Sequence, residues 1–415
     1  MDIDLIRKDK DTVAKNLAKR GVKAEQLDEL LELDAQWREV TKKLEDVNKL
    51  KNEVNSNIAK ASADEKKAII AEVAAASTQE KELKAEEKDL QARREVAWRR
   101  LPNLIADDVA EGGEADYELV ASVPEKIPKP DFVQKTYLEL LPDLIDIERA
   151  GKVSGSRFVY LKGPIARLEL GLVSFVMDML APQGFTPVMP PVLIGEKAMA
   201  GMGYLDRAPE EIYTTEDNLY LVGTSEQAIG PMHMDEMLEA KNLPMRYVAF
   251  SPCFRREAGS HGKDVKGILR LHQFDKVEMF SFTAPEDSAA EHEFLLARQQ
   301  EIMAALELPY RVIKLAAGDT GGPSAKTYDI ETWMPSEGKY RETHSTSNTT
   351  DYQARRLNIR VKTKDGKAVK VHMLNGTAIA LSRILIALIE NHQQADGTIH
   401  IPVALHKYLP FTKIS

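Results

Sequence analysis

A chain of 415 residues with a formal net charge of −9 and a mixed apolar and charged composition fits a globular protein of two or three domains with ample core, and no bilayer-spanning segment. Its one cysteine, Cys253, excludes an internal disulfide framework and any multi-cysteine zinc site, so no zinc is expected and a reducing cytoplasm is. The acidic total argues against indiscriminate nucleic-acid binding, but residues 1–100 hold 22 basic and 22 acidic side chains against 34 and 43 in the rest, so local basic surface stays open.

The opening "MDIDLIRKDK" is charged from its second residue and is read as no secretory signal. Residues 22–101 lack glycine and proline, which predicts helix. Leu30, Leu33, Trp37, Val40, Leu44, Val47, Lys51, Val54 and Ile58 step by alternating threes and fours, a coiled-coil seam broken only by Lys51. Residues 59–67 interrupt it, with Ser62 and Glu65 spaced as a capping box. A second seam runs through Ile69, Val73, Ala76, Leu83, Leu90, Ala97 and Leu101, with Glu80, Glu87 and Arg94 at seam positions. Two seams and a short break predict an antiparallel helical hairpin, each limb reaching roughly 50 Å. The heptads alone fit a dimerisation coil or a spacer. A hairpin that satisfies its own seam also leaves Lys42, Lys43, Lys49, Lys88, Arg93 and Arg99 free to meet phosphates.

After the proline-rich residues 122–132 the pattern becomes mixed strand and helix. Residues 163–185 read as an apolar helix ending near Pro182 and Gly184, and residues 186–194 as one strand. No P-loop or Gly-x-Gly-x-x-Gly turn is present, so a nucleotide would need another site. In "SPCFRREAGSHGKDVKGILRLHQFDKVEMF" (residues 251–280) two strands flank a glycine-rich loop, residues 258–267. By strand parity Arg255 and Glu257 share one face, as do Arg270, His272, Phe274, Lys276 and Glu278. Guanidinium, carboxylate and an aromatic plane together suit phosphate, an adenine amino group and a purine ring. Ordinary cross-strand ion pairs would give the same residues. Later, "VHMLNGTAIALSRILIALIENHQ" (residues 371–393) reads as a strand into Asn375-Gly376 and then a helix, with Arg383 on an otherwise apolar face needing an anionic partner.

These segments together resemble the class II aminoacyl-tRNA synthetases and, among them, the seryl-tRNA synthetases. "GFTPVMPPVLI", with Pro191, is similar to motif 1; "FRRE" with "LHQFDKVEM" to motif 2; "LNGTAIALSR" to motif 3; "VGTSEQA" and "HSTSNTTDYQARR" to two further family segments. The order is the family's, and the likeness runs over essentially the whole chain, arm included. The resemblance implies an α+β fold: an N-terminal antiparallel helical coiled-coil hairpin (residues 1–110) binding tRNA, then a class II catalytic domain (residues 111–415) built on an antiparallel β-sheet flanked by helices. It implies ATP-dependent activation of L-serine and transfer to tRNA(Ser), and to tRNA(Sec) where that occurs, by a homodimer formed through motif 1.

Carried over, Arg255 would clamp the α-phosphate of ATP beside the serine carboxylate, and Arg256 would also bind ATP. Glu257 would read adenine, Phe274 stack on it, and Arg383 meet the γ-phosphate. Residues Glu342, Thr343, His344 and Ser345 would hold ATP, with Glu342 and Ser345 on Mg2+. Thr224, Ser225, Glu226, Glu278, Asn375 and Thr377 would shape the serine site, Glu226 for the ammonium and Glu278 for the hydroxyl. Thr377 and Ala378 depart from the family's common Asn-Gly-Ser-Gly, as His344 and Thr346 do from its small and sulfur-bearing residues, which bears on fine specificity. A ligase acting on a carrier protein would lack the arm and use cysteine-bound zinc. A non-catalytic tRNA-binding relative would lose Arg255, Glu257 or Arg383. A coiled-coil scaffold leaves the charged hairpin unexplained.

Overall fold

The computed structural model describes residues 1–57, 62–127, 129–206, 209–258, 267–363 and 365–415. The chain packs as two compact units, divided between Pro102 and Asn103.

The first unit opens with two short helices, Ile3–Lys8 and Lys10–Ala18, capped by the side chains of Asp2 and Asp9. Two long helices follow, α1 (Ala24–Asn57) and α2 (Ala63–Arg100). They run antiparallel: Asp34 meets Arg94, Trp37 meets Glu87 and Lys51 meets Glu80. Leu30, Leu33, Val40 and Val47 of α1 and Ala76, Leu83, Leu90 and Ala97 of α2 are buried between them. The polar seam residues find one another. Lys51 pairs with Glu80, Glu87 accepts from Trp37 Nε1 at 3.2 Å, and Arg94 donates to Asp34 at 2.7 Å with its guanidinium 4.7 Å from the Trp37 ring centroid. Ser62 directly precedes α2; residues 58–61, with Ile58 of the seam, and the side chains of Glu65 and Ile69 lie outside the described parts of the chain.

Asp34 is wholly buried and takes Arg7, Arg38 and Arg94. Burial raises its pKa, but Arg7 and Arg94 outweigh burial and hold the carboxyl below its ordinary range. Asp34→Ala is expected to destabilise this unit by about 2–3 kcal/mol, measured by urea unfolding followed through tryptophan fluorescence. The contribution of a carboxyl with a lowered folded pKa is present above the unfolded value and lost as pH falls through the folded one. The difference between Asp34→Ala and parent should therefore shrink only below about pH 4.

The second unit is built on one eight-stranded sheet. In chain order its strands are β1 (Glu118–Val123), β2 (Phe185–Val188), β3 (Met245–Phe254), β4 (Gln273–Thr283), β5 (Tyr310–Lys314), β6 (Lys326–Met334), β7 (Lys339–Asn348) and β8 (His372–Ala380). Their spatial order is β1-β5-β6-β7-β8-β4-β3-β2. Every pair is antiparallel except β2 with β3. Helices α3 (Pro164–Leu180), α4 (Glu196–Met202), α5 (Ser288–Ala305), α6 (Tyr352–Leu357) and α7 (Leu381–Asn391) complete the scaffold. Apolar faces of α3, α5 and α7 share one core with Val248, Val277 and Ile330 of the sheet. Among the described residues no helix is long and apolar enough to cross a membrane.

Two strand expectations change. Residues 186–194 do not form one strand: β2 stops at Val188, because Pro190 and Pro191 supply no ladder donors, and pairing resumes at Leu193–Gly195 against Leu219–Leu221. The strand expected to end at Asn375-Gly376 continues to Ala380. A Cβ at Gly376 would lie 2.9 Å from Thr346 Oγ1, so the missing side chain lets β7 and β8 close up there.

Candidate active site

Elementary parity would put residues 342 and 345 on opposite faces of β7 and residues 377 and 380 on opposite faces of β8. The ladders break that rule twice. Ile330 pairs with His344 but Glu331 with Glu342, leaving Thr343 as an extra residue. Thr377 pairs with Glu278 but Ile379 with Val277, leaving Ala378 extra. Each bulge flips the parity downstream of it. Glu342 and Ser345 consequently line one cavity of about 740 Å³, and Thr377 and Ala380 line the small recess that continues it.

That cavity collects most of the expected residues: Thr224, Glu226, Arg255, Glu257, Glu278, Glu342, Ser345, Asn375, Thr377 and Arg383. Phe274 lines the adjoining recess with Arg255, Glu257 and Arg383. Arg255 lies just past the end of β3, its backbone N–H donating to His272 and its Nε to the Gly223 carbonyl at 3.2 Å. Its guanidinium is 5.3 Å from the Phe274 ring centroid. Glu257 reaches the cavity through a left-handed backbone, φ +52°, rather than by strand alternation, and its carboxylate pairs with Arg270. The intervening loop, residues 259–266, lies outside the described residues. Arg383, near the start of α7, bonds the Glu342 carbonyl at 2.7 Å and its carboxylate at 3.2 Å. Burial opposes ionisation of Glu342, yet Arg383, Arg255 and Lys276 together hold its pKa below the ordinary range.

Three expected residues do not line the cavity. Arg256 turns outward, its guanidinium 5.6 Å from the Tyr213 ring centroid. Ser225 is buried and bonds Ser251 Oγ at 2.8 Å. His344 is held between Thr343 Oγ1 (2.9 Å) and the Ala378 carbonyl (3.1 Å), and burial lowers its pKa to about 4, so it is a neutral brace between the two bulges. Thr343 also bonds Thr332 Oγ1 at 2.6 Å, so its hydroxyl is engaged within the sheet, although the residue borders the recess.

The apolar sheet also carries a deep polar end. Glu278 accepts from Lys276 at 2.5 Å and from Thr377 Oγ1 at 3.2 Å; both contacts fall on Oε2, and among the described residues none takes Oε1. Glu226, on the far wall, accepts from Gln353 at 2.9 Å and Tyr204 at 3.1 Å. Sequence reasoning did not assign Lys276, Gln353 or Tyr204. Lys276 was findable, since it shares strand parity with Glu278; Tyr204 belongs to no motif. Chemically, the cavity offers two guanidinium groups at one end and two carboxylates suited to an ammonium and a hydroxyl at the other.

Comparison with known proteins agrees over the whole chain. Residues 211–392 match the family model "tRNA synthetase class II core domain (G, H, P, S and T)", and residues 1–105 match "Seryl-tRNA synthetase N-terminal domain". The serine–tRNA ligase of Streptomyces coelicolor is 43% identical over 99% of this chain and 97% of its own length, and that of Arthrobacter sp. strain FB24 is 46% identical over 94% and 93%. Among solved structures, the seryl-tRNA synthetase from Pyrococcus horikoshii complexed with ATP superposes with a TM-score of 0.92 at 39% identity, covering 100% of this chain and 99% of that one. The cytoplasmic serine–tRNA ligase from Naegleria fowleri in complex with AMP gives 0.86 at 29% identity, covering 100% and 98%. With one family model matching in each unit and nearly full-length relatives at this identity, the chain belongs to the seryl-tRNA synthetase family.

Proposed function

We propose that this enzyme, a serine–tRNA ligase, activates L-serine with ATP and passes the seryl group to tRNA(Ser) in the cytoplasm. The observation that carries the reading is that one cavity holds both halves of the first reaction: Arg255, Arg383 and Glu342 for the nucleotide, Glu226, Glu278 and Thr377 for the amino acid. Its carboxylates and half-buried guanidinium groups discriminate against a purely apolar ligand.

In this reading Glu226 takes the serine ammonium and Glu278 Oε1 the hydroxyl, which sets the carboxylate beside Arg255. A carboxylate oxygen bonds to the α-phosphorus, the bond from that phosphorus to the β-phosphate bridge breaks, and pyrophosphate leaves. Charge builds on the phosphate oxygens, which Arg255 and Arg383 of the cavity wall would meet, so the protein works by position and fixed charge without a nucleophile of its own. A ribose hydroxyl of the tRNA 3′ adenosine then attacks the seryl carbonyl and AMP departs.

The wall also fits a magnesium ion. Asp329, opposite Ser345 across the ladder, has a buried Oδ1 without a hydrogen-bond partner, and Ser345 and Glu342 stand beside it, an all-oxygen set. Glu342 and Ser345 would hold the ion, which would neutralise phosphate charge. The arm would supply tRNA contacts: Lys42, Lys49 and Lys88 are exposed on α1 and α2. The dimer would form through α3 and the segment after β2, where Leu170 and Met189 are exposed apolar side chains.

The test is ATP–pyrophosphate exchange across a panel of amino acids, with serine the expected substrate. Alanine should be rejected by roughly 10⁴-fold, because it leaves the buried Glu278 oxygen without a donor. Glu278→Ala should collapse that ratio. Exchange driven equally well by alanine in the parent enzyme would show that Glu278 does not read the hydroxyl.

A further inference from the structure

We propose that Tyr204 is a positioning residue for amino acid selection: its hydroxyl holds the Glu226 carboxylate aimed at the substrate ammonium. The inference rests on the serine-binding role given to Glu226 above.

Glu226 is 5% exposed, and among the described residues no cationic side chain is bonded to it. Its two oxygens are held by neutral donors, Gln353 Nε2 on Oε1 at 2.9 Å and Tyr204 Oη on Oε2 at 3.1 Å. The two donors come from different elements. Gln353 lies in α6; Tyr204 follows α4, reached through Gly203, which ends that helix at φ +88°. A Cβ at Gly203 would lie 3.0 Å from the ring of Tyr352, the neighbour of Gln353 in α6. The close approach of α4 and α6 that glycine permits is what brings both donors to one carboxylate.

The electrostatics of the neighbourhood make this donor matter. Burial and Glu278 push Glu226 towards its protonated form; Gln353, Lys276 and Tyr204 oppose them but leave its pKa above the ordinary range. The charged groups facing the pair are Glu278 and Lys276 from β4 and Arg255 from the segment after β3. Tyr204 itself is pushed well above its ordinary value by burial and by Glu226, so it remains a donor throughout the working range. A protonated Glu226 would offer no charge to an ammonium, and an unanchored one would be free to turn away.

Tyr204→Phe removes only the hydroxyl. The expected result in serine-dependent ATP–pyrophosphate exchange is a rise of roughly tenfold in KM for serine, in KM rather than in kcat, with KM for ATP held. Because loss of the donor raises the Glu226 pKa, the acid limb of kcat/KM for serine should move to higher pH by about one unit, and the penalty should be larger at pH 6 than at pH 8.5. A structural role would shift neither the pH profile nor serine alone. Glu226→Gln is run beside it. If Glu226→Gln loses serine binding while Tyr204→Phe keeps the parent KM and pH profile, the positioning role is wrong and the ammonium contact stands. If Glu226→Gln binds serine as the parent does, the ammonium contact is wrong and Tyr204 has nothing to position.

Discussion

Arg255→Ala is expected to lower serine-dependent ATP–pyrophosphate exchange by about 10²–10³-fold while the far-UV spectrum and unfolding midpoint stay near those of the parent. The fold should hold because the local structure depends on the backbone of this residue: its N–H bonds His272 and the strands before and after it pair through main chain. Among the described residues its side chain makes a single hydrogen bond, from Nε to Gly223, and the side chain lines the cavity. Arg255→Lys should recover little, since an ammonium cannot present the planar pair of donors that a phosphate and a carboxylate can share. Near-normal exchange in Arg255→Ala would remove this residue from the α-phosphate.

Shortening the arm should separate the two half-reactions. Deleting residues 44–83 and closing the gap with a short glycine-serine linker keeps Asp34 with Arg94 and Trp37 with Glu87, while removing the outer part of both limbs. Activation should be untouched, because every residue lining the cavity lies at or beyond Gly203. Serylation of tRNA(Ser) should fall by at least about 10²-fold, and the salt dependence of tRNA binding should flatten as phosphate contacts are lost. Loss of exchange as well would mean that the arm organises the catalytic unit. Full retention of tRNA charging would make it a spacer.

The hairpin was legible because a helix repeats one environment every turn, so a stepped apolar row with neither glycine nor proline leaves few alternatives. The motif residues were legible as types, but their arrangement was not. Parity placed Lys276 with Glu278 correctly, yet it could not place Glu342 with Ser345, which share a cavity only because Thr343 is bulged. It joined Arg255 to Glu257 for a wrong reason: both lie beyond the end of β3, and the left-handed turn at Glu257, not the pleat, brings its carboxylate round. Bulges and isolated positive φ values depend on what the neighbouring strand needs, and a single row of letters carries no trace of that neighbour. Tyr204 was invisible for a related reason. Its role exists only through Gln353 and Glu226, 149 and 22 residues away along the chain.

The polar pairs inside the arm set its length as teeth set the travel of a zip. Sliding α1 against α2 by one heptad would take buried Asp34 off Arg94 and Lys51 off Glu80, and in one direction would set Lys51, Glu87 and Arg94 opposite Val73, Leu30 and Leu27. One alignment is therefore far better than its neighbours, and the distance from base to tip is fixed. Length can still change over generations, but only by matched steps of seven residues in both limbs, each adding about 10 Å. A seven-residue insertion in one limb alone should leave a bulged or frayed tip, whereas the same insertion made symmetrically should fold as a longer arm.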